Sequence, residues 1–247
     1  MIPECDVVLS PGEDLPEAEC WLVIDILRAT TTMCAFFEAG GKRLYPAESV
    51  EEGLALRERM SGEGEKPLLM GERNALPPPG FDLGNSPLDL SPDLLASRPT
   101  AVMATTNGTR ALLKAAAAGT RVYPVCARNA EATVRAAVET GGRIGILCAG
   151  LHGRAALDDT ACAGVLVEQL VARGTTDLKD GARMALSVWR EGERNLAVLL
   201  KRSVHGTRLL SLGFSADLAF AAEIDSSEVV IRLRQDRGIP FLAREPE

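Results

Sequence analysis

Apolar residues in this chain gather in short continuous runs and seldom alternate with polar ones. A strand that is apolar at every position is covered on both faces, as in the parallel sheets of α/β proteins. The runs predict strands at residues 6–9, 21–27, 43–45, 67–71, 101–105, 121–125 and 143–148. Helical spacing fills most of the intervals, at 32–39, 49–60, 109–118, 130–139 and 159–172. This alternation predicts an α/β fold of three layers, α/β/α, with a largely parallel or mixed central sheet. Residues 177–224 read as a helix-rich C-terminal third, broken near Gly192, Gly206 and Gly213, and a last strand at 229–233 precedes a polar tail. The stretch 74–99, with "PPPG" at 77–80, is too long for an ordinary connection. It reads either as a lid over a binding site or as a rigid Ω-loop on the surface. No repeat or flexible linker divides the chain, so a single domain over 1–247 is expected.

Composition narrows the function. With 46% apolar and 25% charged residues the 247-residue chain is ordinary for a globular protein with a sizeable core. A net charge of −7 and the lack of a Lys/Arg block argue against a nucleic-acid partner. They leave room for a small anionic, phosphorylated substrate held by local arginines. The six cysteines form no C-x-x-C pair and sit in apolar stretches, where cysteine acts as a small hydrophobe. No signal-peptide pattern opens the chain and no apolar run approaches the ~18 residues of a membrane span, so a cytoplasmic protein without a membrane partner is expected. The two histidines, His152 and His205, lack zinc-ligand spacing. Neither a G-x-S-x-G elbow nor a P-loop is present.

Chemistry concentrates where apolar strands stop. In "VIDILRATTT" the run Leu22-Val23-Ile24 ends on Asp25, and Arg28, Thr31 and Thr32 follow. Asp25 and Arg28 would pair with each other in a purely structural turn; in a functional one they would bind a metal and an anion. "TTNGTR" places Thr106, Asn107, Gly108 and Thr109 between a strand and a helix, a set of donors suited to phosphate at a helix N-terminus. The same residues also fit a plain Asn cap. Glu72 and Arg73 end a further strand, and Asp158-Asp159 open a helix. Oxygen donors without histidine suit Mg²⁺, which takes one or two carboxylates and completes its shell with phosphate and water. The expected metal ligands are Asp25, Glu72 and Asp159, and the expected catalytic groups are Asp25, Asp159 and Asn107. Substrate contacts are expected from Arg28, Thr31, Thr32, Arg73, Thr106, Gly108 and Thr109, with His205 as an extra donor. Attack by Asp25 and direct attack by water both remain open.

Taken in order, "DILRATTT", "GER…GFDLGNSP", "TTNGTRAL", the glycine-rich turn before "LDD" and "HGTRLL…DLAFAAEID" resemble the 2-phosphosulfolactate phosphatase family over nearly the whole chain. This chain departs from the family pattern in two places, reading Leu157-Asp158-Asp159 where the family has "LED", and Ile231-Arg232 where it has a proline. The resemblance implies an α/β enzyme that needs Mg²⁺ and hydrolyses (2R)-2-phospho-3-sulfolactate to 3-sulfolactate and phosphate, a step toward coenzyme M in methanogens. Another small 2-phospho acid, or a non-catalytic anion- or nucleotide-binding module, are the alternatives. The helical C-terminal third offers a surface for a homodimer.

Overall fold

Fully apolar runs become the innermost strands. The computed structural model describes residues 4–62, 64–118 and 120–245. The chain begins with β1 (Glu4–Val8), β2 (Cys20–Ile24), α1 (Ala29–Glu38), β3 (Arg43–Ala47), α2 (Val50–Gly62) and β4 (Leu68–Gly71). A 3₁₀ turn (Pro87–Asp89) and α3 (Pro92–Ser97) lead to β5 (Thr100–Ala104), α4 (Gly108–Ala117), β6 (Arg121–Val125), α5 (Ala130–Glu139) and β7 (Arg143–Cys148). After α6 (Leu157–Ala172) and β8 (Asp177–Leu178) come α7 (Asp180–Glu191), α8 (Leu196–Arg202), α9 (Val204–Ser211) and α10 (Ser215–Ala221). The hairpin β9 (Ile231–Asp236) and β10 (Ile239–Arg244) completes the described fold.

Mostly parallel strands flanked by helices give the α/β/α layering. Hydrogen bonds join the strands as two five-stranded sheets, ordered β6-β2-β7-β1-β8 and β4-β5-β3-β10-β9. The first is parallel throughout, with Ile24 facing Cys148 on one side and Val125 on the other. The second is parallel across β4, β5 and β3, then antiparallel through β10 and β9. Every residue of β2 is buried, as both-face coverage demands.

The C-terminal helices break at Gly192 and Gly213 as their glycines suggest, but Gly206 lies inside α9. The break there falls at Ser203, whose hydroxyl caps α9 by accepting the Gly206 N–H at 2.8 Å. A Cβ at Gly206 would meet the Leu200 carbonyl oxygen at 1.8 Å, so this glycine serves the close approach of α9 to the end of α8. That approach is what turns α9 toward the strand ends.

Candidate active site

The carboxyl ends of β2 and β7 in one sheet and of β4 and β5 in the other surround a cleft of about 300 Å³. Strand ends followed by helix N-termini are where open α/β sheets bind ligands. Asp25, Glu72, Thr106, Asn107, Arg28 and His205 all line this cleft, so residues scattered over 180 positions of sequence meet in one place.

Asp25 lies in the turn between β2 and α1. Its Oδ1 accepts the Ala29 N–H at 3.3 Å and its own N–H donates to the Thr30 hydroxyl at 3.1 Å. Burial pushes its carboxyl up to about 6, with Glu72 and Asp158 adding to the rise against the opposing field of His205. Gly108 forms the other side of this acid, since a Cβ there would stand 2.7 Å from Asp25 Oδ2. Gly108 thus lets the N-terminus of α4 close on Asp25 and does not itself line the cleft. Asn107, the cap residue of α4, makes no side-chain cap bond, which leaves its amide to the cleft.

Glu72 is pinned from two sides, accepting N–H groups from Thr106 at 2.8 Å and Ala75 at 2.9 Å. The turn it holds is strained: Asn74 and Ala75 have left-handed φ of 57° and 71°, which costs roughly 1 kcal/mol or more per residue. Arg28 supplies the compensating tie by donating to the Ala75 carbonyl at 2.8 Å. The same guanidinium pairs with Asp217 of α10 at 2.7 Å and lies over the Phe214 ring at 4.2 Å. Its charge is therefore already matched by a buried carboxylate, although the side chain reaches the cleft.

The remaining residues singled out from sequence sit elsewhere. Thr31 and Thr32 are fully buried and donate their hydroxyls to the carbonyls of Ile26 and Asn85, at 2.7 and 2.9 Å. Thr109 is buried against Thr105, its N–H donating to the Thr105 hydroxyl at 3.1 Å. Arg73 lies outside the cleft lining and donates to the Glu72 carbonyl at 2.6 Å. Asp159 lies below the cleft. Its two oxygens accept main-chain N–H groups from Ile26 at 2.9 Å and Gly150 at 2.8 Å, tying the end of β2 to the end of β7. Burial still holds its carboxyl well above the usual range, and Asp158 and Asp25 add to that.

The loop after β4 forms a fixed wall of the cleft through Asn74, Ala75 and Asn85. Asp82 bolts it to β4 by accepting the Leu69 N–H at 2.8 Å, and Phe81 packs on the smaller core cluster. Opposite stands α9. His205 Nδ1 faces Asp158 Oδ2 at 3.5 Å, which turns the other ring nitrogen away from that acid. Burial lowers the His205 pKa, but the bond to Asp158 and the fields of Asp25 and Glu72 outweigh it and hold it above its ordinary value. One turn further on, Arg208 also lines the cleft. Sequence reading passed over Arg208; the three-residue spacing from His205, which puts both on one helix face, was the available signal.

Fold and cleft define an α/β protein with an acid-lined site at its strand ends, and comparison with known proteins narrows this to a family of phosphoric monoester hydrolases. The family described as 2-phosphosulpholactate phosphatase matches residues 7–236. A protein of Deinococcus radiodurans named "Probable 2-phosphosulfolactate phosphatase" is 40% identical over 95% of both chains. One of Thermus thermophilus with the same name is 42% identical over 91% of this chain and 92% of its own. The chain belongs to the 2-phosphosulfolactate phosphatase family.

Proposed function

We propose that this cleft hydrolyses 2-phospho-3-sulfolactate to 3-sulfolactate and phosphate with the help of Mg²⁺. The carrying observation is the meeting of Asp25 and Glu72 with Thr106 and Asn107 at the N-terminus of α4, in a chain of this family. Acids beside a phosphate site repel the substrate unless a cation intervenes. Two features fit such a cation. Burial and neighbouring acids push Asp25 upward, and the buried Oδ1 of Asp158 has no hydrogen-bond partner. Among the described residues no three His, Cys, Asp or Glu side chains form a metal cage. Mg²⁺ does not demand one, since one or two carboxylates suffice. Asp25 and Glu72, which line the cleft, would hold the ion, while Asp159 positions Asp25 through the Ile26 N–H. The bound ion would neutralise phosphate charge and polarise the P–O bonds.

The protein groups then have separate tasks. The Thr106–Gly108 turn offers donors and the positive end of α4 to the phosphate oxygens. His205, held at Nδ1 by Asp158, gives a proton to the C2 oxygen as the P–O bond breaks, while an oxygen from water ends on phosphorus. The test is phosphate release from 2-phospho-3-sulfolactate by the purified protein, with Mg²⁺ and again with EDTA. Release that EDTA abolishes and Mg²⁺ restores is expected. No release, or release indifferent to EDTA, overturns the proposal.

A further inference from the structure

The cleft contains more negative than free positive charge, although its proposed substrate is itself a polyanion. Arg28 is matched by Asp217 at 2.7 Å and also donates to the Ala75 carbonyl. His205 is matched by Asp158. Arg73 lies off the cleft, with its guanidinium on main-chain carbonyls. Arg208 differs from all three. It lines the cleft from the exposed face of α9, and its guanidinium makes no hydrogen bond or ion pair among the described residues.

An arginine kept unpaired in a cleft that Asp25 and Glu72 also line is unusual, because either acid would attract it. Its anchoring explains why it stays apart. Ser203 caps α9, and Gly206 seats that helix on the Leu200 carbonyl, so Arg208 projects from a fixed wall opposite the strand ends. The phosphate donors Thr106 and Asn107 and the acid Asp25 occupy the strand-end wall. A ligand with its phosphate there presents its remaining groups toward α9.

We infer that Arg208 is the specificity-determining residue of this cleft, a bidentate anchor for the sulfonate carried on the carbon next to the phosphorylated one. The inference rests on the proposed activity for the identity of the ligand. Planar guanidinium matches two oxygens of a sulfonate at once, and a lysine ammonium cannot reproduce that fork. A charge-assisted bidentate contact of this kind shifts affinity on the order of tenfold to a hundredfold. Arg208 makes no contact that holds the fold, so its removal leaves the protein stable.

The experiment titrates wild type, Arg208→Gln and Arg208→Lys, all with Mg²⁺, with 3-sulfolactate, lactate and inorganic phosphate, following heat. Melting temperatures serve as the folding control and should agree within about 2 °C. The expected result is sulfolactate binding at least tenfold weaker in Arg208→Gln, only partly recovered in Arg208→Lys, with phosphate affinity within twofold throughout. Lactate, which lacks the sulfonate, should bind all three proteins equally weakly. Unchanged sulfolactate affinity in Arg208→Gln overturns the inference, as does an equal loss for phosphate, or a wild type that does not distinguish sulfolactate from lactate. Turnover is read separately. A wild type that binds sulfolactate through Arg208 yet releases no phosphate from 2-phospho-3-sulfolactate refutes the proposed activity and leaves the anchor standing.

Discussion

Asp25 illustrates a residue placed against the interest of stability. It is 7% exposed, its carboxyl is pushed up to about 6, and Glu72 and Asp158 oppose its ionisation. An acid whose folded pKa exceeds its unfolded value of 3.8 costs nothing below that value and progressively destabilises the fold as pH rises toward 6. Asp25→Asn removes this cost and keeps an oxygen for the Ala29 N–H. We therefore expect the variant, in EDTA at pH 7, to melt no lower than wild type, while its turnover with Mg²⁺ falls on the order of 10² to 10⁴-fold. Thermal melts and phosphate release check both halves; near-normal turnover would remove Asp25 from the chemistry. Thr32 is the opposite case. Its hydroxyl is fully buried on the Asn85 carbonyl and Thr32 does not itself line the cleft, so Thr32→Val should lose about 1–2 kcal/mol by urea unfolding. Its KM should stay within twofold, and a large rise in KM would restore Thr32 to substrate binding.

At the scale of elements, Glu168 on α6 gathers the helices that follow it. It accepts the Trp189 indole N–H at 2.7 Å, the Arg190 Nε–H at 3.2 Å and two donors of Arg194, both at 3.0 Å. Arg194, followed by Trp189 and Arg190, holds its carboxyl down at about 2, below the ordinary 4.5. A depressed acid contributes stability that is present above its unfolded pKa and lost as pH falls through the folded one. Glu168→Gln should thus cost about 1 kcal/mol at pH 7, the partial exposure of the pairs being allowed for. The difference from wild type should shrink between pH 5 and pH 2 in urea titrations, and a gap constant with pH would show that packing alone is at work. The strands and helices joined in this way were largely legible. Residues 121–125, 130–139 and 143–148 were predicted with the bounds that the structure has. The hairpin of β9 and β10 was half missed, because "IRLRQDRGIPFLAR" is dense in arginine and reads as a solvated tail. Pairing of β10 between β3 and β9 supplies what its own sequence does not announce. Division of the strands between two sheets was equally hidden, since a run apolar at every position states that it is covered and not by which partner.

Across the whole molecule, the site depends on a C-terminal third that sequence alone left detached. Strand-end acids could be read from abrupt changes in polarity, but the choice between Asp158 and Asp159 could not. Successive residues at a helix start point about 100° apart, so only the packed helix shows which acid meets His205 and which holds main-chain N–H groups. One buried tie between this third and the strand-end loops is the Arg28–Asp217 pair, whose side chains are 2% and 4% exposed. Arg28 leaves the turn after β2, reaches the strained Ala75, and ends on α10, where Ser86 also donates to Asp217 at 2.9 Å. α10 packs on α8 and α9, so the pair fixes the wall that carries His205 and Arg208. Removing one partner of a buried pair strands the other charge, at a cost of about 3–5 kcal/mol, whereas replacing both with apolar groups can be nearly neutral. Asp217→Ala should therefore lose about 3–5 kcal/mol by urea unfolding, and Arg28→Met combined with Asp217→Leu should recover much of it. Asp217 does not line the cleft, yet Asp217→Ala should also lower turnover by displacing α9. If the single losses simply add in the double variant, or if turnover survives Asp217→Ala intact, the helices hold their place by packing alone and the pair is not their clasp.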